Sequence, residues 1–320
     1  MGKLRVAVIG VGYLGKFHAE KYAGMDDVEL VGVADVDPCV AGEIAEKLNV
    51  KPYTDYRELV GKVDAVSVVV PTRSHFEVAG AFLANGVDVM LEKPMTSTLE
   101  EADRLIEMAE ARDLVLQVGH LERFNPAIVP IKNMVKDPVF IESHRLSIYK
   151  PRGTDVSVVL DLMIHDIDLI LNFVRSEVSD IRAAGIDVIS DSVDIANARL
   201  EFKCGCVANV TASRISTRNE RKLRMFQKDA YMAFDFAKRG ITIIDKSQGG
   251  DDSGLIPGLT IRELLFAEGG DPLEQELRGF VRSVINREKP DVSGREGREA
   301  LRVALAVMEQ ISKTRAGFGK

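Results

Sequence analysis

A chain of 320 residues with 46% hydrophobic content is long enough for two ordinary domains, each with its own core. Its formal net charge of −7 gives no general attraction to nucleic-acid phosphates or anionic membrane surfaces, which argues against both as partners. The three cysteines, Cys39, Cys204 and Cys206, and the five histidines have no zinc-site spacing, and no signal peptide or membrane-length apolar run is legible, so the expectation is a soluble, cytoplasmic, metal-free protein with reduced thiols.

From the start of the chain, short apolar runs at Leu4–Ile9, Val28–Ala34, Val63–Val70, Val87–Leu91 and Leu114–Val118 do not alternate, as befits parallel strands buried on both faces. Helical periodicity fills the gaps at Lys16–Ala23, Ala41–Leu48, His75–Asn85 and Leu99–Arg112. The pattern predicts an α/β Rossmann domain, a doubly wound parallel sheet, over residues 1–120. Its first strand runs into Gly10-Val11-Gly12-Tyr13-Leu14-Gly15 and a helix, the context in which three glycines serve a tight turn, a pyrophosphate and close helix packing. Asp35 closes the second strand, and its carboxylate suits ribose hydroxyls. The adjoining Val36-Asp37-Pro38 supplies no cation for a 2′-phosphate, so NAD is expected over NADP.

The third of these strands ends at Pro71-Thr72-Arg73-Ser74-His75. Ligands of open α/β sheets bind outside the carboxyl ends of strands, which makes Pro71, Thr72 and His75 candidate walls of the cofactor cleft; the other reading is that Ser74 caps the next helix. Glu92-Lys93-Pro94 ends the fourth strand toward the same crevice, and Pro94 restricts Lys93 to extended backbone. The alternative there is a strand-ending proline beside a solvated Glu-Lys pair.

A second domain, residues 121–320, is predicted as α+β with a largely antiparallel open sheet, because Val139–Tyr149 and Val178–Ile244 contain period-two stretches such as Ala196, Ala198, Leu200 and Phe202, with a hairpin turn near Cys204-Gly205-Cys206. Within it, Leu160–Val174 reads as a buried helix with one polar stripe. At about 100° per residue, Asp161, His165, Asp168 and Asn172 fall within roughly 60° of arc, while Asp166 lies off the stripe, at an edge. Asp161 is placed to orient His165, and a histidine so poised suits abstraction of a hydroxyl proton. Arg123 and Asn125 directly follow a sheet strand, and Tyr149, Lys150 and Arg152 precede the polar-striped helix; all are candidates for substrate contact. Arg214, Arg218, Arg221, Lys222 and Arg224 either face a diphosphate or cover a solvated loop. The final helices carry a Ser293/Glu296 capping box and an apolar face of Leu301, Leu305, Met308 and Ile311, and are expected to pack back on the first domain.

Taken in order and spacing, the glycine loop Gly10–Gly15, Pro71-Thr-Arg-Ser-His75 and Glu92-Lys93-Pro94 resemble the glucose-fructose oxidoreductase, inositol dehydrogenase and rhizopine catabolism (Gfo/Idh/MocA) family. The resemblance implies a nicotinamide-dependent oxidoreductase of sugars or polyols, with Glu92 and Lys93 at the cofactor, Lys93 beside the reactive carbon, and Asp161 and His165 as the matching acid–histidine pair. Val156-Ser-Val-Val-Leu160 departs from the family's glycine-rich lead-in, and bulky Met163 and Ile164 precede His165, which speaks against a simple sugar or inositol. His120–Ala127, Pro151–Asp168, and Ser213-Arg-Ile-Ser with Arg224–Ala230 resemble the branch that oxidises the 3-hydroxyl of UDP-N-acetylglucosamine ahead of 2,3-diamino-sugar lipid A. Resemblance to that branch implies a sugar nucleotide as substrate and catalysis by Lys93, His165 and Asp161, while the open sheet face is available to a partner subunit and leads to the expectation of a homodimer or homotetramer. The competing expectations are a dehydrogenase of a free sugar, inositol or UDP-N-acetylglucosaminuronate, and a non-catalytic cofactor-binding regulator.

Overall fold

Apolar runs too hydrophobic for a half-solvated sheet do assemble into one buried on both sides. The computed structural model describes residues 2–132, 134–149, 156–236, 240–246, 259–265 and 270–318. In chain order it opens with β1 (Leu4–Ile9), α1 (Gly15–Ala23), β2 (Val28–Ala34), α2 (Pro38–Leu48), β3 (Lys51–Tyr53), β4 (Ala65–Val68), α3 (His75–Ala84), β5 (Asp88–Glu92), α4 (Leu99–Glu110) and β6 (Leu116–Gly119). These strands form a parallel sheet of order β3-β2-β1-β4-β5-β6, whose order switches between β1 and β4, the place where open α/β sheets bind ligands outside the strands' carboxyl ends. Strand β3 escaped the periodicity reading because it has three residues, and its Pro52 is tolerated only because the strand is an edge. Strand β4 is shorter than the apolar run that announces it, since Val69 and Val70 already turn into the loop.

Local chemistry sets the helix starts. Asp37 accepts from the Cys39 N–H at 2.9 Å and Pro38 takes the first helical position, so α2 begins three residues before its apolar periodicity. Thr98 and Glu101 close a capping box on α4. Ser74 makes no capping bond; a 3-10 turn, Thr72–Ser74, leads directly into α3.

The chain divides into two compact units, Met1–Phe124 with Asp271–Leu301, and Asn125–Gly270 with Arg302–Lys320. The first domain therefore runs four residues past 120 and includes a returning segment. The second unit contains β7 (Phe140–Leu146), a π-helical turn at Val159–Met163, α5 (Ile164–Val174), β8 (Val178–Ile186), β9 (Ile195–Phe202), β10 (Val207–Ser213), β11 (Glu220–Gln227), β12 (Ala230–Asp235), β13 (Gly240–Lys246) and β14 (Leu259–Leu265). Its eight-stranded sheet has order β14-β13-β12-β11-β7-β10-β9-β8, antiparallel except for the β7/β10 pair. Ala196, Ala198, Leu200 and Phe202 are all buried on one face, as the alternation requires, and Gly205 supplies the positive φ of the β9/β10 hairpin.

Helix α6 (Pro272–Asn286) returns to the first unit, where Leu277, Phe280, Val281 and Val284 join Val6, Val8, Tyr22 and Met90 in one core. Each such large side chain contributes about 1.5–3 kcal/mol by leaving water. Helix α7 (Gly294–Phe318) starts where Glu296 accepts from the Ser293 N–H at 2.6 Å. Its buried face is Leu301, Ala304, Val307 and Ile311; Leu305 and Met308, expected on that face, are only half-buried. Among the described residues no helix is long and apolar enough to cross a membrane.

Candidate active site

Three glycines in the loop after β1 are required for different reasons. Gly10 has φ +85°, and a Cβ there would stand 2.7 Å from the Val69 carbonyl oxygen; at Gly15 it would stand 1.7 Å from the Gly10 carbonyl oxygen. The fold itself demands both. A Cβ on Gly12 would stand in open space beyond its chain neighbours, where a ligand could approach the backbone. Asp35 steadies the loop by accepting from the Val11 N–H at 3.0 Å, and its other oxygen accepts from the Asp37 N–H at 3.0 Å. Helix α1 has no side-chain cap and no acidic residue in its first turn, which leaves its positive end for phosphate. Tyr13, Leu14 and Val36 are exposed beside the loop, Val36 to 91%. This set fits NAD: Gly12 and the α1 N-terminus for the pyrophosphate, Asp35 for the ribose, and apolar surface for a ring.

The turn after β5 is held from two sides. Lys93 is half-buried and its bond to Pro94 is cis. His75 is almost fully buried, with Nδ1 2.9 Å from the Pro94 carbonyl oxygen and Nε2 2.8 Å from that of Val70. Burial depresses its pKa, against the pull of those carbonyls. A neutral imidazole donates to one of these two carbonyls at a time, so His75 faces inward and ties the turn to the loop after β4, while Thr72 is half-buried and Pro71 exposed beside it. Glu92 also points inward: Oε1 lies 3.3 Å from His18 Nε2, Oε2 accepts from the Lys93 N–H at 3.1 Å, and a Cβ on Gly119 would be 2.9 Å from Oε1. Burial works to raise the Glu92 carboxyl, but His18 and Lys93 outweigh it and hold it below the usual carboxylate range. Glu92 is a support of the loop, not one of its outward contacts.

In the second unit a cavity of about 500 Å³ is lined by Arg145, Ser147, Asp161, Arg214, Asn219 and Arg221, among others. Asp161 sits in the π-helical turn, whose wider winding breaks the 100° spacing assumed between it and His165 on α5. His165 is half-buried with Nδ1 shielded from solvent, and Asp168 is buried. Asp166 is not at an edge. It is 2% exposed and takes a bidentate pair of 2.9 Å bonds from Arg145, because β7 turns Ile141, Ser143 and Arg145 toward the face on which α5 packs. Arg214, 5% exposed, is backed by Asp194 at 3.8 Å and by the Val156 carbonyl.

The basic run thus divides. Arg214 and Arg221 line the cavity, whereas Arg218 and Lys222 pair with Glu220, and Arg224 with Glu142. Arg123 is half-buried in a 3-10 turn of the first unit; Asn125 Oδ1 accepts from the Ala127 N–H at 3.0 Å and so shapes the next turn of the chain. Tyr149 is exposed, and Arg152, like Lys150, lies outside the described residues.

Both units match known families. Residues 4–120 match the model of an oxidoreductase family with an NAD-binding Rossmann fold, and residues 140–231 match the GFO/IDH/MocA C-terminal domain. The chain is 38% identical to UDP-N-acetylglucosamine 3-dehydrogenase of Acidithiobacillus ferrooxidans over 95% of its own length and 96% of that protein's. The chain belongs to the GFO/IDH/MocA family. It is 28% identical to myo-inositol 2-dehydrogenase of Thermotoga maritima over 98% of both chains. The solved structure of UDP-N-acetylglucosamine 3-dehydrogenase GnnA from Acidithiobacillus ferrooxidans superimposes with a TM-score of 0.90 at 36% identity, covering 97% of this chain and 98% of that one.

As a member of this family the chain is an NAD-binding oxidoreductase, which accounts for the different demands on its three glycines. Gly12→Ala should therefore fold normally yet lose NADH affinity by on the order of tenfold, about 1.4 kcal/mol, in a fluorescence titration. Gly15→Ala should lose binding together with thermal stability, because its Cβ meets backbone. Equal affinities for Gly12→Ala and the parent would remove the pyrophosphate from this loop. Sequence reasoning missed Arg145 and His18. An arginine at an inward position of an alternating strand was the available signal for Arg145; His18 lay one helical turn past the glycines, among residues read only for periodicity.

Proposed function

We propose that the protein oxidises the 3-hydroxyl of the N-acetylglucosamine unit of UDP-N-acetylglucosamine, with NAD as oxidant. The observation that carries this reading is the cavity with three guanidinium groups, Arg145, Arg214 and Arg221, around Asp161. A diphosphate accepts paired N–H bonds from planar guanidinium groups, whereas a free sugar or inositol offers them only neutral hydroxyls. Asp166 and Asp194 stand against the two buried arginines and hold them in fixed orientation, and Arg221 adds an exposed guanidinium to the same wall. Similarity over both domains to a protein that bears this substrate in its name supports the same choice.

The chemistry follows from the residue types. His165 takes the hydroxyl proton as general base, and Asp161 favours the imidazolium that results. Lys93 donates to the reacting oxygen and stabilises the alkoxide charge as it forms. NAD, when bound, supplies the hydride acceptor. Arg123, Asn125, Tyr149 and Arg152 complete the proposed substrate contacts. The product is a ketone that a transaminase can aminate toward a 2,3-diamino sugar for lipid A. A cytoplasmic homodimer or homotetramer completes the reading, joined through the half-exposed sheet face where Phe140, Phe226 and Tyr231 cluster.

The test is a panel of UDP-N-acetylglucosamine, UDP-N-acetylglucosaminuronate, free N-acetylglucosamine and inositol, monitored by reduced-nicotinamide absorbance with a carbonyl trap to pull the equilibrium. Turnover of UDP-N-acetylglucosamine alone is the expected result. Absence of signal with every sugar favours the regulator. Arg221→Ala should raise KM for the nucleotide sugar by on the order of tenfold, the loss of one charge-assisted bond, with kcat little changed. An unaltered KM would move the diphosphate elsewhere.

A further inference from the structure

Beneath the Glu92–Lys93 turn lie polar side chains that the proposed chemistry does not use. His18 and Tyr22 on α1 and Ser67 on β4 are at most 1% exposed. They form a continuous chain with Glu92: Tyr22 Oη lies 2.9 Å from Ser67 Oγ, Ser67 Oγ 3.3 Å from His18 Nδ1, and His18 Nε2 3.3 Å from Glu92 Oε1. Glu92 Oε2 continues it by accepting from the Lys93 N–H at 3.1 Å.

The donors and acceptors along this chain admit one consistent direction for a neutral imidazole. A carboxylate at Glu92 needs the Nε2–H tautomer of His18, which leaves Nδ1 as an acceptor. Ser67 then donates to Nδ1 and accepts from the Tyr22 hydroxyl. Every buried group is satisfied in that arrangement, and any slip of the turn breaks a bond in a region from which water is excluded. On the far side of the turn His75 fixes the Pro94 carbonyl, so the freedom that remains to be removed lies at Glu92 and Lys93.

We propose that His18 is a positioning residue for hydride transfer: by holding Glu92, and through it the Lys93 backbone, it fixes where the lysine ammonium meets the reacting oxygen. This rests on the reading of Lys93 as the group at that oxygen. His18 is enclosed by protein and acts only through Glu92. The role is specific to the donor at Nε2, since a residue of equal bulk without one leaves the carboxylate and Ser67 buried without their bonds.

The experiment compares full-length, NAD-loaded parent, His18→Leu, His18→Gln and Glu92→Gln. Two quantities are read: kcat and KM for UDP-N-acetylglucosamine, and the rate at which an N-hydroxysuccinimide ester acylates Lys93 without substrate, by peptide mass spectrometry. His18→Leu should lower kcat by on the order of tenfold or more at unchanged KM, as misplacement of a reacting group does, and should change the Lys93 acylation rate. His18→Gln, which keeps an N–H near Nε2, should recover both. Parental values for His18→Leu, or equal losses for leucine and glutamine, would reduce His18 to packing and overturn the proposal. Should His18→Leu not fold, Glu92→Gln decides: its amide either opposes a donor at His18 or Lys93 or forces the other His18 tautomer, which reverses the chain and takes away the acceptor of the Tyr22 hydroxyl, so parental kcat and acylation there would also overturn it. If the parent oxidises no sugar, the proposed function fails by itself, and the acylation rates still decide the role of His18.

Discussion

Lys93→Met is expected to lower kcat by on the order of 10²- to 10³-fold while NADH binds as in the parent. Methionine keeps the unbranched shape and the backbone N–H that Glu92 Oε2 accepts, so the turn and its clamp by His75 should persist. What disappears is an ammonium group at the carboxyl end of β5, where an open α/β sheet places its ligands. Its value is differential: a neutral hydroxyl gains little from a cation, a developing alkoxide gains much, so the loss should fall on kcat and spare KM. Lys93→Arg is not a conservative control, because the planar fork cannot put its charge where the compact ammonium stood. The measurements are steady-state turnover of the sugar nucleotide and a fluorescence titration with NADH. Parental kcat in the methionine variant would remove Lys93 from the chemistry and bring forward the regulator reading.

How much of this was legible in the sequence depended on the length scale of the interaction. The dinucleotide domain is announced by contiguous signals, apolar runs at Leu4–Ile9 and Val28–Ala34 with the glycine loop between them, and those strands occur with the same limits. Lys93 and the polar helix were likewise local features. The partners were not. Glu92 looked like an outward group until His18 and Gly119, brought beside it by the parallel sheet, showed why its carboxylate turns inward. Asp166 failed for a related reason: a helical wheel shows which residues share a face but not what faces them, and Arg145 comes from a strand 21 positions away. The angular spacing between Asp161 and His165 was not legible either, because a π-helical turn cannot be anticipated from the spacing of side chains.

The buried Arg145–Asp166 pair supplies the second large effect. Both side chains are nearly inaccessible, at 5% and 3%, and two parallel bonds of 2.9 Å join them. Removing either partner leaves an uncompensated charge or forces a carboxyl to protonate, so Arg145→Leu and Asp166→Leu should each cost about 3–5 kcal/mol in urea unfolding of this unit. The double replacement should cost much less than the sum, because it leaves neither charge behind and two leucines can pack. Additive losses would mean that the pair contributes no coupling. Activity then separates stability from recognition: Arg145 lines the arginine-rich cavity and Asp166 does not appear on its wall, so the double variant, although folded, should retain a raised KM for UDP-N-acetylglucosamine. A parental KM in that variant would show that the pair serves only to join α5 to the sheet, and the diphosphate would then depend on Arg214 and Arg221.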